Sequence, residues 1–318
     1  MSVNIGELIP TALCLFLLIL VGFTVRKANI LNETLTRGLS VIVANVAQPF
    51  LIIYSIKKLE FSALNLKNGL IVLGFGFLAH AFMIGLALLI FHKTKDFDEQ
   101  KIYEFAFTFC NCAFIGFPIV RSLFGELGLF YGAFYVISFN LSVWTVGIWI
   151  MAHGKNGKKV TARQILFNAG TVPCILGLLL YIAQIPMPDF LMRAMDTMGS
   201  LCTPLSLMVT GSLVAAMPLK KLFFNPKFYG FLVAKLIALP LLAACILKIC
   251  GVSALIGGGF DLAIFITVMI SLPPAAFTTL FANIYDVKPS YAAQLVSLGT
   301  LFFPFTILLV MKIAEIIL

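Results

Sequence analysis

Charge is what this sequence has least of. Only 11% of its 318 residues are charged, and acids are scarcer than bases, 13 against 22. A soluble domain carries about 25% charged residues, so a water-facing globule is excluded. Apolar runs recur along the whole chain, and nothing between them is long or polar enough to form a soluble domain. The shortage of acids excludes more. No carboxylate pair lies mid-run, as a cation antiporter would require, and Glu104 and Asp261 fall near run ends, where a solvated interfacial role is expected. HExxH, Walker A, a dinucleotide glycine fingerprint and a serine–histidine–acid arrangement are all missing. The chain therefore reads as no enzyme, with no cofactor and no metal site. Its seven cysteines all lie in apolar segments, and Cys110 and Cys112, two apart, point different ways on a helix. Neither a zinc site nor a disulfide framework follows. A basic signal-peptide n-region is also lacking, so the first apolar run is read as an uncleaved helix.

What is present is a series of spans. A hydrocarbon core needs about 20 apolar residues per helix. With charges and Gly/Pro/Asn clusters as ends, spans fall near 6–25, 38–56, 68–91, 102–124, 128–152, 164–184, 191–217, 228–249, 262–284 and 291–314. This defines an all-α polytopic membrane protein with ten transmembrane helices. GGGF at 257–260 falls between spans and reads as a loop. The net charge of +9 does not point to nucleic acid, because the cations sit between apolar runs. Alternate loops carry fourteen and seven basic residues, and the richer side is cytoplasmic. Both termini are then extracellular or periplasmic. The loop 153–163 is cytoplasmic and separates a first five-helix repeat, 1–152, from a second, 164–318.

Five is odd, so a duplicated half would insert upside down. Pro49 and Pro204 are 155 residues apart, and so are Pro118 and Pro273. The same offset pairs Gly22 with Gly177, Asn45 with Ser200, Gln48 with Thr203, and His80 with Lys235. This is the pattern of an inverted repeat. Proline removes a backbone donor and clashes with the preceding turn. In lipid such a break is tolerated only inside protein or beside a polar cavity. Breaks are expected at GFP (116–118) in the fourth span and at SLPPAAF (271–277) in the ninth. If the breaks cross near the midplane, two helix N-termini face one centre and favour an anion.

Directed donors must assist, because a helix end contributes about 0.3–2 kcal/mol while stripping water from a carboxylate costs several. The candidates for substrate contact are Asn111, Gly116 and Pro118 at the first break, and Ser271, Pro273 and Pro274 at the second. Gln48 and Asn45, three apart on one helical face, and Asn140, mid-span, join them; a single amide also serves simply to join helices. His80, Arg121 and Lys235 are candidates for coupling or anion contact. Snorkelling to the cytoplasmic interface is the expectation for Lys235, the outer interface for Arg121, and packing or proton carriage for His80.

FxNxxFxGxP (109–118), FGELGLFYGAFYVISFN (124–140), NVAQPF (45–50) and SLPPAAFTTLFANIYD (271–286) resemble the auxin efflux carrier family, which includes plant PIN-formed carriers and bacterial malate and malonate permeases. The resemblance covers essentially the whole chain and specifies no substrate. It implies two inverted five-helix repeats with broken, crossing helices 4 and 9. It also implies a scaffold of helices 1, 2, 6 and 7, a mobile unit of helices 3–5 and 8–10, and a homodimer. The implied activity is elevator-type secondary transport of a small organic carboxylate across the plasma membrane. Two departures stand out: the 5–6 loop is short, and a mid-membrane acid for proton coupling is missing. Two alternatives are a sodium-coupled symporter like the bile-acid transporter group and a membrane sensor that binds an anion or lipid without moving it. A sensor usually carries an output domain or tail, and this chain ends just after the tenth span.

The charge asymmetry carries a prediction. In a background lacking the native cysteines, a cysteine at Asn156 should resist impermeant thiol reagents in intact cells, while one at Ser2 should react. The opposite labelling pattern would reverse the orientation.

Overall fold

The computed structural model describes residues 6, 8–153, 170–217, 223 and 225–318, and among them the regular structure is all helical. The expected cytoplasmic loop 153–163 lies outside these residues except for His153. The helices are α1 (Leu8–Lys27), α2 (Glu33–Lys57), α3 (Ala63–Phe91), α4 (Phe97–Thr108), α5 (112–124) and α6 (126–152). In the second half they are α7 (Thr171–Ile182), α8 (Asp189–Ala216), α9 (Pro226–Ile249), α10 (Leu262–Ser271), α11 (Phe277–Ile284) and α12 (Pro289–Ile317). Seven of the helical stretches are long and apolar enough to cross a membrane. Large apolar side chains such as Leu17, Leu78, Leu89 and Trp149 remain exposed around them. In water these would be a liability; in a bilayer they are the lipid-facing surface.

The helical stretch 112–152 is not one rod. Gly125 has φ +63° and ψ −148°, a conformation that costs glycine little and other residues much. The chain doubles back there. A Cβ on Gly128 would meet the backbone of Val120, and one on Gly132 would lie 3.1 Å from the Phe117 ring. So α5 and α6 pack antiparallel.

Polar residues set the helix ends. Asn32, Ser62, Asp96, Asn225 and Asp261 cap α2, α3, α4, α9 and α10 by accepting from backbone amides of the first turn. The loops then sort into two sets. On one side, Lys58 after α2 and Arg121 at the end of α5 both pair with Glu126, at 3.0 and 2.7 Å. Tyr181 of α7 accepts from the Ser62 amide at 2.9 Å, and Asn68 donates to the Gly257 carbonyl at 3.3 Å. On the other side, Lys288 pairs with Asp96 and Glu99, and Lys227 pairs with Glu99 at 2.9 Å. The Lys288 ammonium holds the Asp96 carboxyl below its usual range. Residues 257–260 lie outside helices, as expected.

Matching contacts occur where α1 crosses α8 and α7 crosses α2. A Cβ on Gly22 would collide with the Met208 backbone, and one on Gly177 would lie 3.3 Å from the Ile53 Cα. Gly22 and Gly177 differ by 155, and so do Ile53 and Met208. Small residues at such crossings let membrane helices approach backbone to backbone. The 155 offset fails further on. From α4 to α10 the first residues, Phe97 and Leu262, are 165 apart, and the last, Thr108 and Ser271, are 163 apart. The extra residues enter around the connection between α8 and α9, which is longer than that between α2 and α3. The 155-residue pairings of Pro118 with Pro273 and of His80 with Lys235 are therefore not structural equivalences.

Asn45 and Gln48 do not share a face. A π-turn spans Val43–Ala47, and its wider winding removes the three-residue coincidence of an α-helix. Asn45 is exposed and donates to the Val41 carbonyl at 2.9 Å, while Gln48 is buried. Glu104 is also buried, not solvated, and accepts from Gln100 at 2.7 Å.

The glycine crossings should be intolerant of growth. Gly211→Ala drives a methyl into the Ile19 carbonyl and should cost about 1–3 kcal/mol of stability. Gly38→Ala, with nothing within 4 Å of the new atom, should be neutral or stabilising. Thermal unfolding of the purified variants checks both.

Candidate functional site

The two breaks meet. Cys110 and Pro274 form an antiparallel bridge. The Asn111 amide donates to the Pro273 carbonyl and the Ala275 amide to the Phe109 carbonyl, both at 2.8 Å. Each break thus supplies backbone partners that the other lost. The ninth-span break lies at 272–276, as the prolines indicate. The fourth-span break lies at 109–111, not at GFP. Phe109 and Asn111 leave helical geometry (φ −98°, ψ 107° and φ −78°, ψ 62°), whereas Pro118 lies inside the resumed helix, directly after a π-turn at Cys112–Gly116. The wider winding of that turn lets the helix continue past the missing proline amide.

Asn111 caps the second half-helix. Its Oδ1 accepts from the Phe114 amide at 3.3 Å. The residue is half-buried, and its Nδ2 has no partner among the described residues. Gly116 provides the close approach of the two broken helices, since a Cβ there would lie 2.9 Å from Leu272 Cδ1. The other N-terminus begins at Phe277. Beside it, the buried Thr278 Oγ1 has no hydrogen-bond partner among the described residues. Nothing in the sequence distinguishes that hydroxyl from other helical threonines.

Other candidates are placed differently. Ser271 is buried and its hydroxyl donates to the Val268 carbonyl at 2.7 Å, so it offers no donor to a ligand. Asn140 is buried, its Nδ2 without a partner among the described residues, and it packs against Gly170, just before α7, instead of at the crossover. Gln48 lies beside Ala47 and Leu51, which pack with Val43, Cys202 and Phe114. Thr203 joins that contact, its hydroxyl donating to the Phe114 carbonyl at 3.4 Å. Arg121 is exposed and held by Glu126 at the loop between α5 and α6, away from the crossover. His80 is buried, with Nδ1 2.7 Å from the Gly76 carbonyl and its ring 5.4 Å from Tyr135 and 6.0 Å from Phe109. The Tyr135 hydroxyl is itself buried and unpartnered among the described residues.

Lys235 does not snorkel. It is wholly buried, its Nζ 3.0 Å from Cys110 Sγ, 3.3 Å from the Ile270 carbonyl, 3.9 Å from Met83 Sδ and 5.7 Å from the centre of the Phe107 ring. Its helix passes through a π-turn at Ala234–Ala238, of which Lys235 and Leu236 face inward and are buried. Position along the sequence alone suggests the interface, because it gives depth without the face of the helix that turns inward.

These features define a membrane transporter, an assignment that comparison with known proteins makes at family level. The family model described as membrane transport protein matches residues 8–311. The chain belongs to that family, the auxin efflux carriers. An uncharacterized transporter of Methanocaldococcus jannaschii is 24% identical over 303 residues, 91% of this chain and 93% of the relative. Another, from Methanothermobacter thermautotrophicus, is 24% identical over 161 residues, 49% of this chain and 52% of the relative. The chain thus matches about half the length of that second relative.

The two functions of the Asn111 side chain can be separated. Asn111→Ser keeps an oxygen to cap α5 but removes the free amide, so stability should change by less than about 1 kcal/mol. Ligand affinity or transport should fall by about 1–3 kcal/mol, the cost of an unmatched buried partner. Asn111→Ala should lose both. Unfolding midpoints and transport rates measured on the same preparations check this.

Proposed function

We propose that the protein is a secondary carrier of a small organic carboxylate in the plasma membrane. Ten spans in two inverted five-helix repeats, 1–152 and 164–318, would cross the bilayer. Helices α4 with α5, and α10 with α11, are then the broken fourth and ninth spans. The sorting of loops into two ionic clusters supports this alternation, and the contacts of Gly22 and Gly177 support the inverted symmetry.

One observation carries the substrate class: the reciprocal backbone bridge at Cys110 and Pro274. It brings the N-termini of α5 and α11 to one centre. Neither broken span has a carboxylate between Glu104 and Glu126 or between Asp261 and Asp286. Each N-terminus carries roughly half a positive charge, so an anion meets two favourable ends and no acid. Asn111 Nδ2 and Thr278 Oγ1 are the directed donors that dipoles alone cannot replace. Gly116 and the two prolines shape the crossover, and Pro118 lies in the helix behind it.

Transport then requires one packed unit to shift against the other. Helices α1, α2, α7 and α8 form the scaffold, through which two copies would pair, and the crossover rides in the remainder. Phe114 packs across that boundary against the cluster of Val43, Ala47 and Cys202. Phe114→Cys, with Cys202 as the only native cysteine retained, should form a disulfide that stops counterflow of labelled mono- or dicarboxylates in vesicles. Reduction should restore it. A Gly76→Cys/Ser138→Cys pair, in which the first new Cβ lies 3.0 Å from the second residue's Cβ, stays within the mobile unit and should permit counterflow. Undiminished counterflow with the Phe114–Cys202 link complete would rule out the elevator. Failure of every carboxylate to exchange would rule out the substrate class.

A further inference from the structure

Lys235 presents an energetic problem. An ammonium buried in a membrane bundle is costly unless it is paired. Among the described residues no carboxylate forms an ion pair with it. Its partners are one carbonyl, two sulfurs and a ring. What compensates the charge is a matter of where those partners lie. Ile270 is in the last turn of α10, whose final carbonyls have no helical donor. Cys110 lies two residues past the end of α4, and its Sγ lies 3.9 Å from the Thr108 carbonyl and 3.7 Å from that of Ile270. The ammonium therefore sits where the C-terminal ends of both first half-helices converge. Each such end carries roughly half a negative charge. Two together amount to roughly one, which a single lysine balances.

We infer that Lys235 is a tethered cation that neutralises the converged negative ends of α4 and α10, a place a small free monovalent cation could fill only if the lysine were removed. The two pairs of helix ends are then treated oppositely. The negative ends are neutralised permanently from within the chain, and the positive ends are left to the transported anion. Lys235 is a positioning residue: its ammonium contacts chain atoms at the C-terminal ends of α4 and α10, whereas the proposed ligand donors lie at the N-termini of α5 and α11. Insofar as it concerns coupling, the inference rests on the carrier reading; it makes the anion's movement indifferent to sodium. The placement of the charge does not depend on that reading.

The test is thermal unfolding of purified protein without any substrate, so the carrier reading can fail while this one stands, and conversely. Wild type, Lys235→Met and Lys235→Arg are compared in choline chloride and, at matched ionic strength, in sodium chloride and methylammonium chloride. Wild type should unfold at the same midpoint in all three, and Lys235→Arg should do likewise. Lys235→Met should unfold earlier in choline and recover by about 3 °C or more in sodium or methylammonium, as a cation bound only by the folded state requires. If Lys235→Met cannot be isolated while Lys235→Arg behaves as wild type, charge is again the requirement and the inference holds. Three results would overturn it: wild type stabilised specifically by sodium, Lys235→Met indifferent to every cation, or both variants failing to fold, which would make shape and not charge the requirement.

Discussion

Every feature of the centre follows from one constraint. A backbone amide or carbonyl released from a helix inside a bilayer has no water to turn to. A helix broken alone would leave several such groups stranded, each costing about 1–3 kcal/mol. Here two helices break at one level, and each break becomes the partner of the other through the Asn111–Pro273 and Ala275–Phe109 bonds. The crossing is thus obligatory. Neither half-helix could keep its irregular segment without its counterpart, which fixes the relative position of four helix ends to within a hydrogen bond. Gly116 permits this approach, since any larger residue would press on Leu272.

Fixing four helix ends also fixes a charge pattern. The C-termini of α4 and α10 meet on one side of the bridge, and Lys235 is buried among them. The N-termini of α5 and α11 meet on the other, with Asn111 and Thr278 beside them. On the proposed reading, a chain this poor in acids would still offer an anion a defined place, with selectivity drawn from oriented peptide dipoles and a few neutral donors.

Much of this is legible in the sequence, for identifiable reasons. Span positions follow from length and apolarity, which the hydrocarbon core dictates directly. Pro273 and Pro274 mark their break because two consecutive prolines leave a helix no way to continue. The first break is harder to read. Pro118 sits within a helix that a π-turn carries past it, indistinguishable by type from a helix-breaking proline, and it draws the expected break toward itself. The residue that actually leaves the helix is Phe109, which carries no breaking signal of its own. Pairing Asn45 with Gln48 fails on a π-turn that has no sequence signature. The interface is the wrong place for Lys235 because helical depth can be counted from the chain, whereas the direction a side chain faces cannot. The burial of Glu104 is hidden for the same reason.

The two repeat offsets add a further step. In α1, α2, α7 and α8 corresponding residues are 155 apart, and their glycine contacts obey that spacing in both halves of the chain. In the broken helices the spacing is 163 to 165. An insertion that displaced residues within either packed set would have disturbed close contacts such as Gly211 on Ile19. The change of spacing falls around the α8–α9 connection, where one set of helices gives way to the other. Length variation there leaves both internal packings intact. Thr203 and Phe114 meet between the two sets through a 3.4 Å hydroxyl contact, and the Phe130–Tyr181 and Phe16–Phe305 ring pairs join them elsewhere. On the carrier reading, the backbone-tight pairs α1–α8 and α2–α7 would move as one body, and it is these side-chain contacts between the sets that would have to break and re-form.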